Sequence, residues 1–572
     1  MSIRLKQFGA LGVLLAAVAV VGVPKAIRYT HAPDAARRGR ASSTLVASIR
    51  AEPRSFNRYT ARDLSTAVLT FLMHDGLVRV NRVTNQLEPE LAERWELLPD
   101  GRTYRLQLRP NVQFSDGAPF TSADVVFSFK AIYDTAVGSV LADTLQVRGK
   151  PLKVTADGAL TVTIQFAFPF GPGLRMLDGV PIYPRHRLEA ALAAGAFRSA
   201  WGPATAPSDL AGLGPFVLRS YAPGQRLTFD RNPRFWRSAA APSVDHAVVT
   251  VVPDQDAELL QLETGEIDLT QSELRPADVP ALKAAAGAGR VTVTDAGIGL
   301  DGDLLWINLL PAKAGDTRAS WLRHADFRRA VAHSVDRRAF VDTVYFGEAV
   351  PADSIISPGN RDWHVTAPPP DYDPASASRL LAGLGLSERD ASGVLHDHSG
   401  RPARLSLLTQ KGNTSLERGA AVVRDSLLAV GVQVDVVAME AGALVDRVMR
   451  GDYDAAYFSL LTTDTDPALN LDFWLSSGGA HVWHPEQRVA ATPWEAEIDA
   501  LMDKVATTLD PEGRRIQFAT VQQIMAREVP ALCFAFPRHR IAVNARVADA
   551  APSPFRPPLL WNPAAIRLRS AP

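Results

Sequence analysis

The chain has 572 residues, too many for one hydrophobic core, so two or three domains are expected. Hydrophobic residues make up 47% and charged residues 21%, and Lys+Arg and Asp+Glu both number 61. That is the balance of a soluble globular protein with no global field to draw it to nucleic acid or an anionic membrane, so no nucleic-acid partner is expected.

Arg4 and Lys6 precede an apolar run over 8–23, which reads as an export signal. The run is longer than a typical signal core and shorter than the roughly 20 residues that span a bilayer comfortably. Ala17-Val18-Ala19 offers a cleavage site, whereas Lys25, Arg28, Arg37, Arg38 and Arg40 beyond it oppose translocation. A cleaved signal is favoured, because Pro24 and the polar stretch to Ser43 read as linker; an uncleaved N-terminal anchor is the alternative.

After Ser43, "TLVASI" reads as a strand and "STAVLTFLMHDGL" as a helical stretch ending at Gly76. "WELLPDGRTYRLQLR" reads as a β-hairpin, with its turn at Pro99-Asp100-Gly101 and Tyr104, Leu106 and Leu108 alternating. In "NVQFSDGAPFTSADVVFSFKAI", Asp116 and Asp124 are not an acid/base pair. Asp116-Gly117 makes a turn, and Asp124 falls at N3 of a helix capped by Thr121, where it closes a capping box. Further strands are expected at "ALTVTIQF" and "QRLTFDRN".

Beyond Ala241 strands alternate with helices: "DHAVVTVVP", then "QDAELLQLETGEIDL", a helix followed by a short strand over 267–269. "ARLSLLTQ", "ERGAAVVRDSLLAVGV", "VQVDVVAM", "AGALVDRVMRGDY" and "DAAYFSLL" form a β-α-β-α-β series over 403–461, the pattern of a parallel sheet with helical cover. The apolar run "VPALCFAF" reads as a buried strand holding the only cysteine, Cys533, as a core thiol. One cysteine excludes an intrachain disulfide framework, a multi-cysteine metal site and a lipid-modified N-terminal cysteine. The chain is therefore mixed α/β with an added β-rich subdomain, and no short-period repeat occurs.

Catalytic signatures are missing: no phosphate loop, no third glycine after "GLGPF" or "GLGLS", no G-x-S-x-G and no H-E-x-x-H. Three weaker constellations stand out. His396-Asp397-His398 has metal-binding residues but sits in a turn-like "VLHDHSGRP". His481 and His484 in "GGAHVWHP" suit a metal or a binding loop. "TTDTDPALN", over 462–470, leaves a strand end, where ligands gather in open α/β sheets; its competing reading is a helix cap at Asp464 or Asp466 with Pro467 at N1.

Seven segments occur in an order that resembles one family: "LEPELAERWELLPDGRTYRLQLRPNVQFSDGAPFTSADVVFSF", "GLGPFVLRSYAPGQRLTFDRNPRFW", "LETGEIDL", "WINLL", "FRRAVAHSVDRRAFVDTVYFGEAVPADSIISPG", "YDPASASRLLAGLGL" and "GDYDAAYF". They are similar to the extracellular solute-binding proteins of ABC importers, in the dipeptide/oligopeptide-binding family (family 5). The resemblance implies the two-lobed periplasmic binding protein fold (type II), hinge-linked, with an extra subdomain. Laid on this chain it puts the export segment at 1–43, lobe I at 44–75, 184–297 and 530–572, the subdomain at 76–183, and lobe II at 298–529.

The resemblance also implies a site. In peptide-binding members, an Asp three residues before an acidic-Pro pair takes the peptide ammonium. Here the pair is Asp466-Pro467 and the matching position is Thr463, with Asp464 one residue later. Leu64, Ser65 and Thr66 match a segment lining the family's cleft, as do Ser459, Leu460 and Leu461. Thr462, Thr463, Asp464 and Asp466 are expected to give polar contacts, and Trp306 and Phe534 apolar walls, with burial in a core the competing reading for the aromatic pair. Two carboxylates in the loop would favour a cationic or amino-bearing ligand.

The implied function is a periplasmic, monomeric protein, not an enzyme and without metal or cofactor. It would bind a peptide or similar small solute and deliver it to ABC permease subunits served by a cytoplasmic ATPase. Other readings are an exported sensory or chaperone-like binding module, or a peptide/ester hydrolase, although no nucleophile beside a base is visible for the last.

Overall fold

The computed structural model describes residues 43–237, 241–311, 316–460 and 464–569. The export segment, and Leu461, Thr462 and Thr463 of the expected site, lie outside them. Among the described residues no helix is long and apolar enough to cross a membrane.

Two sheets frame the molecule. The larger has eight strands, in the order Phe216–Ala222, Arg226–Arg231, His246–Val251, Thr44–Ile49, Leu269–Thr270, Ala535–Asn544 and Val291–Ile298, with Ala349–Pro351 also pairing to Ala535–Asn544. Thr44–Ile49 runs parallel to both of its neighbours, and the remaining pairings are antiparallel.

The smaller sheet has five strands, in the order Gln433–Met439, Arg404–Gln410, Ala455–Ser459, Asp303–Ile307 and Ala531–Cys533. Its first three strands are parallel, and helices Thr414–Ala429 and Ala441–Met449 make the crossovers, which is the β-α-β-α-β unit expected of "ARLSLLTQ" to "DAAYFSLL". Asp303–Ile307 is antiparallel to both of its neighbours.

Between 92 and 165 a separate antiparallel sheet of four strands forms, Ala92–Leu97, Thr103–Leu108, Thr161–Gln165 and Lys153–Ala156. The predicted hairpin opens it, with Asp100 Oδ1 accepting the Arg102 and Thr103 amides across the turn. Helix Ser122–Tyr133 packs on this sheet, and the Thr121–Asp124 capping box is present. Asp124 Oδ2 accepts the Thr121 amide at 2.9 Å while Oδ1 accepts the Arg185 amide at 3.0 Å, so both carboxylate oxygens serve scaffold. Asp116 accepts the Ala118 amide inside its turn and pairs with Arg187 at 2.8 Å.

The run "VPALCFAF" is not one strand. Ala531–Cys533 ends in the five-stranded sheet, and Ala535–Asn544 begins in the eight-stranded one. The chain therefore passes directly from one sheet to the other after Ile298 toward Asp303 and again at Phe534, and between Ile307 and Arg404 it returns to the larger sheet through Ala349–Pro351. The second crossing falls a few residues later than a first-lobe segment starting at 530 implies, because Ala531–Cys533 still pairs with Leu304–Trp306 in the smaller sheet.

At the crossings the Gly302 backbone lies against the side chains of Cys533 and Phe536. A Cβ on Gly302 would stand 2.6 Å from Cys533 Sγ and 2.9 Å from the Phe536 ring, so only glycine fits. Cys533 is buried, as expected, and burial pushes its thiol well above its ordinary range.

Alternation along Asp303–Ile307 divides the core. Leu304 and Trp306 join one apolar cluster with Phe458 and Trp483, while Leu305 and Ile307 join a second with Phe340, Tyr457 and Phe534 on the other face.

Candidate functional site

The expected site residues fall into three places. Leu64 opens helix Leu64–Met73 and is 52% exposed. The next two residues are spent on the helix start. Ser65 Oγ donates to the Ala51 carbonyl at 2.5 Å, and Thr66 gives its amide to the N-cap Asp63 at 2.8 Å, with its hydroxyl 2.9 Å from the Ser55 carbonyl. Both are buried.

The two aromatic residues do not meet. Trp306 is wholly buried, stacks on Trp483 with ring centroids 6.2 Å apart, and donates its indole N–H to the Phe458 carbonyl at 3.3 Å. Phe534 lies on the opposite face of the same sheet, 5.0 Å from the Phe340 ring centroid, and is buried too. Strand alternation separates them, so they pack two cores and do not face one another as walls.

The loop after Ala455–Ser459 gathers most of the rest. Ser459 and Leu460 are half-buried at the strand's end. The Ser459 hydroxyl donates to Asp303, whose other oxygen accepts the Tyr345 hydroxyl at 2.6 Å. Burial raises Asp303, and these two bonds hold the shift back.

Past the undescribed residues, Asp464 is mostly buried, Asp466 is buried, and both are paired. Asp464 Oδ1 accepts Arg175 Nε at 2.6 Å and the Asp466 amide at 2.8 Å. Burial raises the Asp464 carboxyl and the Arg175 charge lowers it. Asp466 accepts both terminal nitrogens of Arg514, at 2.6 and 2.8 Å, and caps the turn Pro467–Leu469 through the Ala468 amide. The cap with Pro467 at N1 is thus formed. The counter-charges for this loop come from the chain itself, which removes the reason for a cationic ligand: a buried carboxylate needs a partner, and each already has one.

Sequence reasoning missed Arg175 and Arg514. Arg175 sits in a 3-10 turn, Gly173–Leu177, 289 residues before its partner, and carries no motif. Arg514 lies inside helix Pro511–Glu528, where an arginine at i, i+4, i+7 spacing with the apolar Phe518 and Val521 falls on the buried face, an available signal for a paired charge.

The histidine constellations resolve as structure. His481 Nε2 and His484 Nδ1 lie 3.2 and 3.3 Å from Glu495 Oε1, which also accepts Trp483 Nε1 at 3.2 Å and Gln487 Nε2 at 3.0 Å. Burial would raise Glu495, but these hydrogen bonds and those from Thr492 hold it well below the ordinary carboxylate range. Glu495 is also N3 of helix Pro493–Thr507, closing the capping box of Thr492, so the whole cluster anchors a helix start beneath Trp306. His396 belongs to the small hairpin Glu388–Arg389 and Leu395–His396, and Asp397 accepts amides within the adjoining turn. Among the described residues no group of three or more His, Cys, Asp or Glu could hold a metal ion.

The family model described as "Bacterial extracellular solute-binding proteins, family 5 Middle" matches residues 86–481, more than half of the chain. The chain belongs to this family. Among curated family relatives, it is 26% identical over 405 residues to a probable ABC transporter-binding protein of Deinococcus radiodurans, covering 67% of this chain and 68% of that one. It is 25% identical over 509 residues to the probable D,D-dipeptide-binding periplasmic protein DdpA of Escherichia coli, covering 88% of this chain and 90% of the other. Among solved structures, the ABC transporter substrate-binding protein CtaP of Listeria monocytogenes superposes with a TM-score of 0.76 at 21% identity, over 92% of this chain and 99% of that one. The two-lobed family 5 fold is therefore the fold of this chain.

Proposed function

We propose that this family 5 chain is the extracytoplasmic binding component of an ABC importer. It closes two lobes over a peptide or similar small solute and passes it to permease subunits in the inner membrane, which are driven by a cytoplasmic ATPase. The observation that carries this reading is the pair of direct crossings, Ile298 to Asp303 and Cys533 to Ala535, that lie side by side between two distinct sheets in a chain of this family. Two strands crossing at one place make a hinge, and a hinge beneath two α/β lobes is the geometry of closure on a ligand. A micromolar solute supplies about 8 kcal/mol of binding free energy in total, and the part that discriminates closed from open is what closure draws on. No catalytic step is needed.

The residues we assign to the solute are the exposed Leu64 and the half-buried Ser459 and Leu460, the latter two at the end of the strand that pairs with Asp303. Asp464 and Asp466 support the loop through their arginines. A dipeptide is the first solute class to try, since DdpA is named for one. The lobe boundaries, the monomeric state and the periplasmic location are part of the same proposal.

Mass spectrometry of solute carried through native purification, followed by calorimetry with the released compound, tests the reading. A bound small solute that leaves unchanged supports it. Steady turnover of peptides or esters that vanishes on replacing one side chain would overturn it.

A further inference from the structure

The segment over 170–177 carries Gly171 and Arg175, and both reach out of the four-stranded subdomain to the chain beyond the five-stranded sheet. Arg175 uses every face of its guanidinium. Nε donates to Asp464 Oδ1 at 2.6 Å, Nη1 to the Asn85 carbonyl at 2.8 Å, and Nη2 to Asn85 Oδ1 at 2.6 Å and to Thr465 Oγ1 at 2.9 Å. Asn85 adopts φ +61° at the tip of the hairpin Val78–Val80 and Leu87–Pro89, and it makes its own bond across, from Nδ2 to Asp362 Oδ2 at 2.8 Å. On the far side Asn360 Nδ2 holds the Thr465 carbonyl at 2.8 Å. The Arg175 and Asp464 side chains are only 14% and 11% exposed.

Gly171 makes the second contact. Its amide donates to the Ala506 carbonyl at 2.7 Å, and a Cβ there would stand 2.4 Å from Arg514 Nε and 2.6 Å from the Thr508 carbonyl. Arg514 in turn grips Asp466. The loop over 464–466 is thus held from one side by Arg175 and from the other by an arginine that the subdomain backbone covers.

We infer that Arg175 is a positioning residue that couples the subdomain to closure of the lobes: its pair with Asp464 forms when the lobes close and breaks when they open. By the proposed boundaries Arg175 belongs to the subdomain and Asp464 to the second lobe, so separating the lobes returns both charges to water. Losing one partner instead leaves the other charge buried and uncompensated in the closed form alone, which penalises that form selectively. The clasp therefore sets how much of a solute's binding energy is spent on closure. This rests on the two-lobed binding reading, but its test needs no solute and can fail while that reading stands.

The test is small-angle X-ray scattering of the full mature chain without added solute, after removal of carried ligand. Arg175→Ala should raise the radius of gyration as the open-to-closed ratio rises about tenfold or more. The isosteric Asp464→Asn should do the same with the fold intact by circular dichroism. Arg175→Asp and Asp464→Arg should each open the chain, and the two together should close it again, a rescue that a merely structural role would not produce. Gly171→Ala should open it with no change of charge. Scattering from Asp464→Asn indistinguishable from the parent chain, a parent already open without solute, or no rescue by the charge exchange would each overturn the inference.

Discussion

Arg514→Ala isolates the Asp466 pair. Both side chains are 6% exposed, and the two hydrogen bonds between them are 2.6 and 2.8 Å, a bidentate geometry in a buried site. Removing the arginine strands a buried carboxylate, which costs about 3–5 kcal/mol in such settings. Arg514 Nε also donates to the Val505 carbonyl at 2.7 Å, and the guanidinium lies 4.9 Å from the Trp363 ring centroid, so the upper half of that range is expected. In a folding unit of this size the loss lowers the thermal midpoint by about 2–4 °C per kcal/mol, or about 6–20 °C in all. Asp466→Asn should cost less than Arg514→Ala, since the amide can still cap Ala468. The double variant Asp466→Asn with Arg514→Met should be milder than the sum of its parts, because no charge is left unpaired. Scanning calorimetry on the four proteins measures this coupling. A loss below about 1 kcal/mol for Arg514→Ala, the range of exposed pairs, would refute the view that this loop is held by a desolvated ion pair.

Glu90 is raised to about 8, first by burial and then by the charge of Asp75, so the folded chain holds a proton that the unfolded chain has released. That contribution is complete below the ordinary carboxylate range and is lost as pH climbs toward and through about 8, so Glu90→Gln should gain thermal stability relative to the parent between pH 5 and pH 9; parallel pH profiles would argue against it. Trp306→Ala should destabilise the chain by about 3–5 kcal/mol, the cost of emptying a packed aromatic site, read as a fall in melting temperature of solute-free protein. Asp124→Ala should lose about 1 kcal/mol with the capping box, while solute affinity by calorimetry stays the same; a tenfold weaker affinity would place this helix at the ligand.

The helices and the parallel unit were legible because their signals are local. Hydrophobic period and turn residues mark "ARLSLLTQ" through "DAAYFSLL", and Thr121 with Asp124 announces a helix start three residues long. What the sequence concealed depends on partners far along the chain. "VPALCFAF" has no feature to show that it leaves one sheet and enters another, since the break is set by pairing with Leu304–Trp306 on one side and Ala349–Pro351 on the other. Asp464 and Asp466 look like free carboxylates until Arg175 and Arg514 are placed beside them. The i,i+3 histidines suggest a metal until Glu495, 14 and 11 residues later, accepts from both. Trp306 and Phe534 were expected together because both are aromatic and near the crossings, but the two-residue repeat of a strand sends them to opposite faces.

The close approach of Gly302 to Cys533 has a practical side. The only sulfhydryl of the chain is buried against Gly302, and burial keeps it in the unreactive protonated form, so maleimide chemistry should pass it by. Cysteines introduced at Val83→Cys and Val489→Cys, 60% and 80% exposed in the parent, can then carry a donor and an acceptor dye without first removing a native thiol, and the wild-type hinge is kept intact in the reporter.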